Sequence, residues 1–520
     1  MKRYTVSVIL LLALLVTSTL QAQVSLGTQP VAWRLDGDLV ESLSFNALSE
    51  VNTDLLVAED LIADSNKDGP MRFALKRSVD YDLDNSGRWT NLPNGDRIWM
   101  LGLRSPNAIA LSLTFDVFDI PKGAVVHIYD PAGNEVIGAL TSENNKSTGV
   151  LTTNRITGDE LILEYYEPFA VRQEGDIHVR TIAHSYRDVS AILQSDVAAC
   201  LQDVICDDDQ QVKDLSRAVT LITVDEGTRH ATGVMLNNAN FDGTPYVLTN
   251  ARNLWGDPES WLFTFNYRQN VCNGSSLKRA DQSISGASIV EIDPNASMVL
   301  LELSTRPLPD WRVYYAGWDV SGATPQTVRT IDHPFGAGQK YALSEQAPGH
   351  AVWQGTDVFR VNAWNNGATA DGSCGAPMID QNGRVIGVFF GGSASCSDEG
   401  ADHYAKLENG HSSFRKYLDP FHQDLMTLDG TFLRFGEVNE GAFEESIALF
   451  PNPASNSFNL LNESDEALIA VQVFDSGGRL VNEVNYTGQP IQVADLPVGY
   501  YIIRVQLETR SIQRKLMVWR

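Results

Sequence analysis

The sequence predicts an all-β protein built in several parts. Three observations carry this. Short runs that alternate apolar and polar residues recur along the chain, as in "AIALSLTFDVF", "AVVHIYD" and "ELILEYYE". Turn signals such as "PKG", "PAGNE" and "TGDE" separate them. The best helical candidate near the end of the central region is one stretch, "RKYLDPFHQDL". With 520 residues, 43% of them hydrophobic and 20% charged, the chain has room for two to four globular domains.

The first 22 residues read as a secretory signal. Lys2 and Arg3 precede an apolar run from Val6 to Val16, which is too short to span a bilayer, and cleavage is expected after Ala22. No later stretch is apolar enough to predict a transmembrane helix. Residues 23–195 are short strands with turns between them, the pattern of an antiparallel β-sandwich. Residues 197–425 hold all five cysteines and further strand-like runs. Residues 426–446 are acidic, lack a clean period and read as a linker. Residues 447–520 return to strands and turns, and their length suits a seven-stranded sandwich.

Composition excludes some partners. With 39 basic residues against 65 acidic ones, the formal charge is −26. Nucleic acid and anionic membranes need basic patches, so neither is expected. No cofactor or metal site is read from the sequence. Asp64–Gly69 ("DSNKDG") matches the first half of a calcium loop, but Leu75 stands at the twelfth position where a glutamate is needed, so the stretch reads as a turn. Export permits disulfides, and five cysteines leave one over.

The central region resembles the bacterial lysyl endopeptidases, secreted members of the trypsin-like class. "CLQDVIC", "RAVTLITVDEGTRHATGVMLNN", "FNYRQNVC", "LLELS", "YAGWD", "DHPFG" and "GSASC" follow in that family's order. The resemblance implies a trypsin-like double β-barrel. It also implies the disulfides Cys200–Cys396 and Cys206–Cys272, leaving Cys374 as the odd cysteine. A third family bridge would join the positions of Ala231 and Asn253, and both of its cysteines are absent.

The same resemblance locates a catalytic triad whose members are all changed. "LTNARN" puts Arg252 at the histidine, "SMVLLEL" puts Ser297 at the aspartate, and "GSCGAP" puts Cys374 at the serine nucleophile. Arginine, with a pKa above ~12, cannot act as a base at neutral pH. A nearby arginine favours thiolate at Cys374, yet the leaving amine still lacks an acid. His230, beside Ala231, is the candidate substitute base. Gly372, Cys374 and Gly375 keep the form of the oxyanion loop. "ADHYAK" places Asp402 at the base of a pocket for a lysine side chain, and Phe390 replaces a family histidine.

Both flanks carry resemblances too. Residues 23–195 resemble the propeptide-like sandwich that precedes such proteases. No Lys or Arg lies between residues 188 and 199, so the two regions are expected to stay joined. "FPNPASNSF", "VFDSGGRLV", "LPVGYYIIRV" and "RKLMVW" resemble the type A sorting domain of the type IX secretion system of the Bacteroidetes, which implies an Ig-like sandwich, export machinery as a partner, and a secreted or cell-surface location. The resulting expectation is a pseudoprotease that binds lysine-bearing peptides or proteins. Two other readings stay open: a lysine-preferring endopeptidase with Cys374 as nucleophile, and a structural or adhesive surface protein.

Overall fold

The computed structural model describes residues 28–35, 39–195, 198–274, 282–396, 399–420, 423–432, 447–452, 454–462, 468–475, 479–486, 489–507 and 511–519. The predicted signal peptide and residues 433–446 of the predicted linker lie outside them. Two compact units result, residues 1–434 and 435–520. Among the described residues no helix is long and apolar enough to cross a membrane.

The first unit begins with two stacked sheets. One contains Phe45–Ala47, Arg88–Asn91, Arg97–Arg104, Val125–Tyr129, Val136–Leu140 and Glu160–Glu167; the other contains Ala74–Asp82, Ala110–Asp119, Leu151–Thr152, Ile156–Thr157 and Asp176–Ser185. Alternation along the strands sends Trp99, Leu101 and Leu103 from one sheet, and Leu111, Leu113 and Phe115 from the other, into a shared core. Two features depart from a purely antiparallel sandwich. Phe45–Ala47 pairs parallel to Gly102–Arg104. A helix, Thr53–Ala63, starts where the Asn52 side chain accepts from the Leu55 N–H.

Two larger, mostly antiparallel sheets follow. The first is built on Val219–Val224, Arg229–Leu236, Tyr246–Asn250 and Met298–Leu303, and the second on Val328–Asp332, Pro377–Asp380, Arg384–Ala394 and Glu399–Lys406. One continuous core joins them, with Trp261, Phe263 and Trp318 fully buried. Disulfides link Cys200 to Cys396 and Cys206 to Cys272, and Cys374 is a buried free thiol. The sandwich is stitched to the first sheet by more than proximity. Met71–Arg72 pairs antiparallel with Arg229–His230 as an added strand. The Thr152 hydroxyl donates to the Ser260 carbonyl at 2.7 Å, and the Lys76 ammonium meets Asp225 at 2.6 Å.

Two expectations need correction here. The helix runs over Leu407–Leu418, earlier than the stretch 415–425 suggested. Pro420 excludes Asp419 from the helical region, and Asp419 takes φ −131°, ψ 66°. The expected linker, for its part, begins inside the fold. Thr427–Leu428 pairs with Trp318–Asp319, Thr431–Phe432 pairs with Tyr314–Tyr315, and the Phe432 ring lies 4.9 Å from that of Tyr314. An acidic stretch hid a short apolar alternation.

The second unit packs Ile447–Phe450, Ser457–Asn462 and Ile491–Gln492 in one sheet, and Leu468–Phe474, Leu480–Asn485, Gly499–Leu507 and Ser511–Val518 in another. Phe458, Val471, Ile503 and Leu516 are buried between them. A truncation at residue 425 should therefore melt a few degrees below one at residue 432. It loses two short strands and an aromatic pair, roughly 1–3 kcal/mol, which calorimetry will read as a lower Tm.

Candidate functional site

The cleft is assembled where the first sheet ends. Strand Tyr246–Asn250 runs into a 3₁₀ turn, Ala251–Asn253, capped by the Asn250 side chain accepting from the Arg252 N–H at 2.9 Å. Ser297, at φ +52°, is joined to this turn twice: its carbonyl accepts from the Ala251 N–H at 2.9 Å and its hydroxyl donates to Asn250 at 3.2 Å. The Cys374 carbonyl accepts from the Asn253 amide at 2.9 Å and from the Thr232 N–H at 3.0 Å. Arg252, Ser297 and Cys374 thus lie around one turn. The Asn253 amide also donates to the Thr249 hydroxyl at 2.8 Å.

The loop holding Cys374 needs its glycines. Gly372 and Gly375 have φ of +91° and +89°, and a Cβ on Gly375 would come within 2.0 Å of the Thr249 hydroxyl. The Gly375 N–H donates to the Phe389 carbonyl, while the N–H groups of Gly372 and Cys374 take no acceptor among the described residues.

Cys374 itself is fully buried. Burial pushes its thiol well up, Asp68 pushes the same way, and the opposing pull of Arg252 is the smallest of the three. The expected gain in thiolate from a neighbouring arginine is therefore overturned by desolvation. The contact made by Sγ is with the Phe389 carbonyl at 3.9 Å.

His230 does not serve that thiol. Its ring stacks on Phe73 at 3.8 Å, its Nδ1 meets the Thr223 hydroxyl at 3.3 Å, and its Nε2 has no partner among the described residues. Complete burial holds it neutral, with its pKa well below the ordinary value. The substitute-base expectation gains no contact. Phe73, from the N-terminal region, is what encloses it.

Arg252 is engaged elsewhere. Its Nη1 donates to Asp68 at 2.7 Å, its Nη2 donates to Gln354, and its guanidinium lies 4.6 Å above the Phe390 ring. Asp68 comes from the turn read as "DSNKDG", which forms a 3₁₀ turn over Asp64–Asn66 followed by Lys67 at φ +51°, ψ +26°.

Asp402 lies on strand Glu399–Lys406 and is fully buried. Its carboxylate accepts from Trp364 Nε1 at 2.8 Å and from the Thr369 hydroxyl at 2.7 Å. The remaining position is taken by the Lys67 ammonium at 3.0 Å. Lys67 Nζ also donates to Thr369 Oγ1 at 2.7 Å and to the Ala394 carbonyl at 2.5 Å. Its three protons therefore all have acceptors, and the site binds a primary ammonium completely. Sequence reading found Asp402 but missed Lys67, Thr369 and Trp364. The signal that was present is the pair Gly391–Gly392. A Cβ on Gly391 would come within 2.9 Å of the Asn66 carbonyl, and one on Gly392 within 2.2 Å of Asp402 Oδ1.

With this geometry in hand, the relatives are informative. Residues 194–405 match the family described as the lysyl endopeptidase, C-terminal domain. The chain carries a lysyl endopeptidase-like domain. Residues 448–519 match the secretion system C-terminal sorting domain, so the lysyl endopeptidase-like domain is exported by the type IX system to the cell surface or beyond. Among solved structures, the inactive Ser343Ala form of Rv3671c from M. tuberculosis superimposes with a TM-score of 0.28 at 18% identity, covering 43% of this chain and 97% of that one. The HtrA-type protease AlgW gives 0.28 at 13%, covering 59% and 95%.

Beside the pocket, Asp332 is buried and accepts from the Ser373 hydroxyl. Burial pushes its carboxyl up to about 7, and burial does the same to Asp371. A carboxyl raised in the fold stabilises it while protonated. That contribution is whole below about pH 4 and is lost as pH rises through about 7. Urea melts should show Asp332→Asn flattening this decline, with the variant gaining on the parent by a few kcal/mol between pH 4 and 8.

Proposed function

We propose that this protein is a lysyl endopeptidase-like pseudoprotease. On this reading it is exported to the cell surface or medium, and its Asp402 pocket holds a lysine side chain without cutting the chain that bears it. One observation carries the reading: the groups around Cys374 cannot move a proton. Hydrolysis needs a base for the nucleophile and an acid for the leaving amine. Arg252 cannot do the first, because a guanidinium stays charged, and it is already committed to Asp68. Ser297 brings no charge, and its hydroxyl is donated to Asn250. The thiol is desolvated and held protonated. His230 is neutral and turned to Phe73. In a comparable triad, loss of nucleophile or base costs roughly 10⁶ in turnover.

The pocket supports binding in place of chemistry. Asp402, Thr369 and the Ala394 carbonyl form a buried ammonium site that is independent of the triad positions.

Incubation of the exported chain with a fluorogenic lysyl peptide should give no turnover, with or without alkylation of thiols, under conditions where an active lysyl endopeptidase cleaves the same peptide. Turnover abolished by alkylation would establish a cysteine endopeptidase and end this reading.

A further inference from the structure

The ligand that the cleft holds is part of the same chain. We infer that Lys67–Asp68 is a tethered ligand, and that the N-terminal sandwich acts as a plug closing the lysine pocket to peptides from outside. This rests on reading the Asp402 pocket as an ammonium site.

Two opposite charges on adjacent residues meet two opposite charges on the cleft. The Lys67 ammonium enters the pocket to Asp402 at 3.0 Å, and the Asp68 carboxylate meets Arg252 at 2.7 Å. Gln354 closes the second contact by donating to Asp68 at 3.0 Å. The pocket wall leaves room for this segment at Gly391, where a Cβ would come within 2.8 Å of Asp68 Cβ and 2.9 Å of the Asn66 carbonyl. Arg252 therefore has a use at the position where the family keeps its base: it reads an acidic residue that follows the lysine.

The plug is not presented as a substrate. An extended segment would lay its peptide along the wall, but Lys67 is in the left-handed region and its N–H turns back to the Asp64 carbonyl at 3.2 Å. Contacts outside the cleft hold this turn in place. Arg187 pairs with Asp64 at 2.6 Å, Tyr186 donates to Asp60 at 2.6 Å, and Met71–Arg72 is hydrogen-bonded into the first sheet. These straps give the plug a high effective concentration, on the order of millimolar or above, so a free peptide of micromolar affinity is weakened by roughly 10²-fold or more.

The test uses the full exported chain and a fluorescein-labelled peptide Asn-Lys-Asp-Gly, read by anisotropy. Lys67→Met should bind it at least about tenfold more tightly than the parent. Adding Asp402→Asn should abolish the gain. In Lys67→Met/Asp68→Ala, which frees Arg252, the peptide Asn-Lys-Ala-Gly should bind about tenfold more weakly than Asn-Lys-Asp-Gly, a difference that adding Arg252→Ala removes. Equal binding by parent and Lys67→Met overturns the plug and leaves the pocket reading standing. Binding by neither overturns both. Equal binding of the two peptides overturns the role of Arg252. Amine acetylation of the unaltered chain, followed by mass spectrometry, needs no variant. Lys67 should label at least about 10²-fold more slowly than Lys416, whose side chain is 57% exposed. Labelling at the same rate overturns the inference. Peptide hydrolysis would instead sink the pseudoprotease reading without changing the protection of Lys67.

Discussion

The buried pair of Lys67 and Asp402 is the constraint on which the architecture of the cleft depends. Both groups are almost wholly removed from water. Such a pair is tolerable only when each charge has its hydrogen bonds, and here the ammonium has three acceptors and the carboxylate three donors. Take away the lysine and a fully enclosed carboxylate remains, a state that costs several kcal/mol or forces protonation or water entry. The sandwich and the barrels therefore stabilise one another through the pocket. The glycines of the wall and the left-handed turn at Lys67 are the local conditions for that contact.

A second consequence concerns Cys374, which is fully buried and packs as a small apolar side chain. Its carbonyl does more for the structure than its thiol. It ties the loop to Thr232 and Asn253, and so joins the second sheet to the first. The loop keeps its glycine at 375 because there is no room for anything larger.

Much of this was legible in the sequence. The period-two runs of the sandwich became strands at nearly the residues quoted, because alternate residues enter the core shared by the two sheets and so fix the register. The cysteine pairing and the location of Asp402 came from motif order, not from physics. What stayed illegible has physical reasons. Lys67 is a lone lysine in a polar turn, 335 positions from its partner, and nothing local marks it as buried. The helix register was misread because Lys406 offers no capping side chain to mark its start. Phe432 was missed because the scattered phenylalanines of an acidic run have no periodicity to announce which of them is packed.

Arg252 links these strands of argument. A guanidinium at the head of the cleft is no base at neutral pH, and it supplies a permanent cation facing Asp68. A neutral histidine could not hold that carboxylate with comparable strength, because the charge-assisted bond requires the donor to stay ionised. One residue type thus does two things: it offers no base at this position and it clasps Asp68. The Ser297 hydroxyl serves the turn that carries Arg252, through Asn250.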